Sequence, residues 1–183
     1  MTARAMVRFL AAFTVIFLAW TTGASAADIP LKSFFGKFRG SAVAETDASK
    51  KLDFALRDLD VTIAPKGDGF EISWISNQRP IPGSGNKVSK RENEIAFQAP
   101  GPNGVYRAEQ QGDPLTGGNL SWARIENRTL FVHVLSVDER GAYELQSYAR
   151  TLSPDGKEMK LLFTRYRDNE RVRQVSGTLK RYQ

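Results

Sequence analysis

The chain of 183 residues contains no cysteine and a single histidine, His133. The first absence excludes disulfides, thiolate metal sites, a cysteine nucleophile and a lipid anchor on cysteine. The second excludes histidine-pair metal motifs such as H-E-x-x-H. Glycine-rich phosphate-binding patterns are also missing. The nearest echo, Gly83-Ser84-Gly85-Asn86-Lys87, has the wrong spacing and reads as a loop. Helical periodicity is almost absent. Ile29 to Phe35 has room for one short turn, and 46–53 reads as a loop or short helix.

Residues 1–26 have the pattern of a secretory signal: Arg4 and Arg8, then an apolar run from Phe9 to Trp20, then Ala24-Ser25-Ala26. The run is too short for a membrane anchor, which needs about 20 residues. Cleavage after Ala26 predicts a periplasmic or secreted protein. Of the 26 basic residues, two lie in the leader, so 24 face 20 acidic residues in the 157 that remain. That mild excess gives no ground for nucleic-acid binding, and membrane integration is not expected. One domain over 27–183 is the expectation, and a chain of this size buries ~70% of its unfolded surface.

From Lys37 onward, apolar and polar residues alternate. Ten runs follow: 37–45, 54–64, 70–76, 94–98, 105–109, 119–126, 129–138, 142–152, 158–167 and 171–181. Turn residues separate most of them, and 78–86 and 99–104 form the longer loops. Ten short strands in succession predict an all-β fold, an antiparallel up-and-down meander. Such a meander removes its exposed edges by closing into a small barrel of about 8–10 strands.

Turn chemistry predicts register, and register decides the inner face. A two-residue turn at Asn127-Arg128 pairs Trp122 with His133 and Arg124 with Phe131. A three-residue loop at 139–141 pairs His133 with Ser147, Leu135 with Leu145 and Val137 with Tyr143. A three-residue loop after Ser153 pairs Thr151 with Met159 and Ala149 with Leu161. A three-residue loop at 168–170 pairs Arg165 with Arg173 and Phe163 with Val175. Chained together, these place Leu120, Trp122, Arg124, Phe131, His133, Tyr143, Leu161, Phe163, Arg165 and Arg173 inside. Glu144, Gln146, Tyr148 and Arg150 then face water.

Arg165 opposite Arg173 is the most informative pair, because facing guanidinium groups repel unless an anion or a carboxylate lies between them. One reading is an anion-headed apolar ligand, held by the arginines and by Tyr143, with Trp122, Phe131, Leu161 and Phe163 around its tail. The other is a packed core with a rim salt bridge to Glu170 or Asp168. His133 is a candidate iron ligand or base, but a lone inward histidine is more often a hydrogen-bonded core residue, here with Ser147. Asp58 and Asp60 alternate with apolar residues and read as a solvated side. No cofactor or metal is called for. One feature resists this register: Ala123, Ile125, Leu130, Val132 and Val134 fall on the outside. As an exposed apolar patch, they predict a protein partner or packing of 29–35, or else a wrong turn at 127–128.

Gly36-Lys37-Phe38 opening the first strand, the ten-strand meander and the basic end at Lys180-Arg181 resemble the calycin superfamily of lipocalin-like barrels. In that superfamily a tryptophan stands where this sequence has Phe38 and packs beneath a basic residue of a late strand, so the resemblance puts Lys180 or Arg181 over Phe38. It implies carriage of a small apolar molecule. The leading expectation is therefore a non-enzymatic exported barrel that binds a small apolar or anionic ligand. The alternatives are an interaction protein (protease-inhibitor-like or an envelope assembly factor), an enzyme using Arg165, Tyr143 and His133, and, least favoured, an outer-membrane barrel.

Overall fold

The computed structural model describes residues 27–46, 53–79 and 89–183. The leader, the 47–52 segment and the 80–88 loop lie outside the described residues. Ten strands run in chain order: β1 (Gly36–Thr46), β2 (Asp53–Lys66), β3 (Gly69–Gln78), β4 (Lys90–Phe97), β5 (Tyr106–Arg107), β6 (Leu120–Glu126), β7 (Thr129–Val137), β8 (Tyr143–Leu152), β9 (Glu158–Arg167) and β10 (Glu170–Arg181). They form one antiparallel sheet in the order β4-β3-β2-β1-β10-β9-β8-β7-β6-β5. Except for β4 and β5, which form the two edges, each strand pairs with its sequence neighbours, and β1 also pairs with β10.

The sheet curls until its edges meet. A single bridge, Phe97 to Ala108, links the end of β4 to the residue after β5. Backbone hydrogen bonds from Gln98 N–H to the Arg107 carbonyl and from Glu109 N–H to the Ala96 carbonyl reinforce it. Above that point the seam is open, so the barrel is nearly closed. Ten of the predicted strands are present, and the predicted short turn is a 310 turn at Leu31–Phe34. Among the described residues, no helix is long and apolar enough to cross a membrane, and no group of three metal-ligating side chains comes together.

One end of the barrel is a packed floor. Phe34, Phe38, Phe70, Phe97, Met159 and Leu179 are wholly buried there. Phe70 stacks on Phe97 at 4.8 Å and meets Tyr106 edge-on at 5.3 Å. The 310 turn lays Phe34 across the opening, and Ile29 N–H bonds the Asn127 carbonyl to hold that segment down. Arg181, not Lys180, covers Phe38, its guanidinium 4.5 Å from the ring centre. Its nitrogens donate to the carbonyls of Gly156 (2.8 Å), Ser33 (2.8 Å) and Phe35.

The register corrects the expected inner face. The turn at Asn127-Arg128 is the two-residue turn expected, with Asn127 at φ 54°, and Trp122 faces His133. Val137 faces Tyr143, also as expected. Arg165 faces Arg173, although by another route: a two-residue turn with Asp168 and Asn169 at positive φ, followed by a bulge at Val172. The error lies at 153–157. Ser153 N–H bonds the Glu158 carbonyl, so four residues form the loop and Leu152 faces Met159. A one-residue slip inverts every side chain beyond it.

As a result, Leu120, Trp122, Arg124, Phe131, His133, Leu135, Tyr143, Ser147 and Ala149 lie on the outer face. Ala123, Leu130 and Val132 are buried in the core, with Ile125 packed against it, and Val134 lies on the same inward row. No outer patch of Ile125, Leu130, Val132 and Val134 exists to meet a partner. Their apolarity, which conflicted with the expected register, follows from the true one. Glu144, Gln146, Tyr148 and Arg150 share that inward row, whereas Glu158, Lys160 and Thr164 face out.

Candidate functional site

The inward rows of β2, β3, β4, β8, β9 and β10 border a cavity of about 200 Å³ above the packed floor. Its wall is apolar and aromatic: Leu59, Val61, Trp74, Tyr148, Leu161, Phe163 and Val175. The Tyr148 ring lies 4.6 Å from Phe163 and 5.0 Å from Trp74. A second, larger chamber of about 480 Å³ follows the seam, bordered by Asn93, Glu94, Asn119, Ser121 and Gln146. Trp74, Asn93, Gln146 and Tyr148 line both, so the seam opens into the lumen.

Five arginines line the lumen: Arg57, Arg91, Arg150, Arg165 and Arg173. Arg150 is 1% exposed. Its guanidinium lies 5.2 Å from the Trp74 ring and 5.0 Å from the Tyr148 ring. Its Nε and Nη1 find no hydrogen-bond partner among the described residues. Burial pushes its pKa down to about 10, so it remains charged at neutral pH. Arg57 is 5% exposed. It donates to Ser76 Oγ (3.1 Å) and Gln78 Oε1 (3.3 Å), while its Nε is unpartnered. Burial, then the charge of Arg91, lowers its pKa.

Arg165 and Arg173 face each other across β9 and β10 as the sequence predicts. Arg165 Nε lies 3.4 Å from Glu144 Oε2, an ion pair without a hydrogen bond. The expected rim partner is thus Glu144 and not Glu170 or Asp168. Burial pushes Arg173 down to about 10, and the charges of Arg57, Arg91 and Arg165 add to the shift. Glu144 is the one carboxylate that pairs with these five arginines among the described residues. Buried cations without partners are strongly unfavourable. Groups shifted by burial and like charge concentrate at functional sites. The arrangement can receive an anion, and its walls can receive an apolar body.

Of the nine expected site residues, Leu161, Phe163, Arg165 and Arg173 line this cavity. The other five do not. Trp122, Phe131 and His133 stack on the outer face, with the His133 ring 5.0 Å from Trp122 and 6.1 Å from Phe131. Arg124 pairs with Glu126 (2.9 Å) and covers Phe131 at 5.4 Å. Tyr143 bonds Asn169 Oδ1 outside, apart from Arg165 and Arg173. His133 Nδ1 is buried without a hydrogen-bond partner, so the expected bond to Ser147 is not made there. Burial and Arg124 lower its pKa. Asp58 and Asp60 pair outside with Arg79 and Arg39, each at 2.6 Å.

Sequence reasoning missed Arg57, Arg91, Arg150, Trp74 and Tyr148. Arg57 was readable, because Ala55-Arg57-Leu59-Val61-Ile63 places it at the head of an inward apolar row. Arg150 and Tyr148 were hidden by the slipped register. The misplaced apolar row of β7 was the signal that could have recovered them.

The aromatic floor capped by a late-strand arginine, beneath an up-and-down meander that nearly closes, decides the architecture. The fold is calycin-like. The calycin-like barrel is similar to a protein of unknown function from the DUF3598 family of Nostoc punctiforme, at 16% identity and a TM-score of 0.55 over 85% of this chain. This chain spans 50% of that one. It is also similar to an S-type phycobiliprotein lyase from Guillardia theta, at 9% identity and a TM-score of 0.53, over 84% of this chain and 90% of the other. At these identities the likeness is one of fold. No protein-family profile and no curated protein sequence matches the chain.

Proposed function

We propose that the protein is an exported, non-enzymatic carrier that holds a small anionic apolar molecule in its lumen. The observation that carries this reading is Arg150, wholly buried with two donor nitrogens unanswered among the described residues, in a lumen that holds four more arginines and one paired carboxylate. A protein interior leaves such donors empty only at a cost of about 1–3 kcal/mol or more each. An anion supplies acceptors and neutralises the like charges at once, while Leu161, Phe163, Trp74 and Tyr148 shed water onto its apolar part. The likeness to the phycobiliprotein lyase is in keeping with a ligand-handling barrel and names no ligand.

Native mass spectrometry of protein purified from its own host tests the carrier reading. A co-purifying acid is expected, and its loss on replacing Arg165 and Arg173 with leucine ties it to the lumen. If the double variant carries the same molecule undiminished, the lumen is not the site. Export is tested separately: protein from the envelope fraction should begin at Ala27, after removal of residues 1–26.

A further inference from the structure

The charges in the lumen fall into two stations. Arg173 sits in the field of Arg57, Arg91 and Arg165. Arg150 lies apart from that group: it faces Leu161 on β9, four residues along β8 from Gln146, which faces Arg165. Tyr148, opposite Phe163, stands between them on the same inward row. Its ring, with Trp74 and Phe163, forms an aromatic belt separating the two stations.

A single acid group cannot satisfy both. Placed between Arg165 and Arg173, it leaves the Nε and Nη1 donors of Arg150 unanswered. Placed at Arg150, it leaves two facing guanidinium groups with Glu144 alone. We propose that the ligand is a compact diacid, a flat apolar body with an acidic group at each end, one held by Arg150 and the other by Arg165 and Arg173. This rests on the carrier reading above and specifies its ligand class. The cavity of about 200 Å³ matches a body of one or two fused rings.

Three matched probes test the proposal by calorimetric titration: naphthalene-2,6-dicarboxylate, naphthalene-2-carboxylate and naphthalene-2-carboxamide. The diacid should bind the wild-type protein at least ten-fold more tightly than the monoacid, and the monoacid more tightly than the neutral amide. Arg150→Met should remove the diacid's advantage and leave monoacid binding in place. Arg150→Gln, with a polar side chain of similar length, should do the same, and circular dichroism checks that both variants fold. Equal affinity for diacid and monoacid overturns the two-station proposal while leaving the anion carrier standing. An advantage that survives both Arg150 variants overturns the role of Arg150. If neither acid outdoes the amide, the carrier reading itself fails.

Discussion

Two arginines, Arg181 and Arg150, both lie against aromatic rings inside the barrel, at opposite ends of their usefulness to folding. Arg181 stacks on Phe38 and gives its N–H groups to three backbone carbonyls. Arg150 stacks on Trp74 and Tyr148, and its Nε and Nη1 find no acceptor among the described residues. The floor is thus complete as it stands, and the lumen above it is not. A buried polar group with all its partners specifies a structure; one without partners in the same core costs stability that a bound group would restore.

The contrast breaks most visibly at the floor. Phe38→Ala should destabilise the protein by about 3–5 kcal/mol, because the site is wholly buried and enclosed on all sides. Arg181→Met should cost about 2–3 kcal/mol, since it strands three carbonyls. Urea denaturation followed by circular dichroism measures both. At the other station the sign reverses. Arg150→Met should raise the stability of the ligand-free protein by about 1–4 kcal/mol, because it replaces an unanswered buried charge with an apolar chain of similar length. A loss of stability there would show that Arg150 is structurally satisfied in the folded chain.

The outer face gives smaller effects. His133 has its pKa lowered in the fold from the usual 6.5. As pH falls below 6.5, the unfolded chain takes up a proton that the folded chain resists, so stability should decline until the folded pKa is passed and then level off. His133→Phe should flatten the His133 contribution to that decline in a pH series of melting temperatures. Asp60→Asn should change the melting temperature least, because Arg39 and Asp60 are exposed to screening solvent.

The meander was legible because alternation and turn residues are local signals, and every predicted strand exists. The floor was legible through the residues flanking it, with Arg181 doing what the resemblance required of Lys180 or Arg181. The faces of β6, β7 and β8 were not, because they depended on one loop. Ser153-Pro154-Asp155-Gly156-Lys157 is compatible with three or four loop residues. The Ser153 and Asp155 side chains settle the longer form, with Ser153 Oγ 2.6 Å from Asp155 Oδ1 and accepting from Glu158 N–H at 2.9 Å. From there the error spread back along three strands. Arg165 and Arg173 escaped it, because the hairpin at 168–170 fixes their pairing independently. The apolar row Ala123, Leu130 and Val132 registered the conflict, since burial is a stronger constraint than a single turn type.

The proposed anion site is the barrel's lumen and not its aromatic outer face. A crystal structure of the protein soaked with naphthalene-2-carboxylate tests this directly. Density for the acid is expected inside the barrel, its carboxylate within hydrogen-bond distance of Arg150 or of the Arg165–Arg173 pair. Density only outside, against Trp122 and His133, or a lumen already filled by its own side chains, would contradict it.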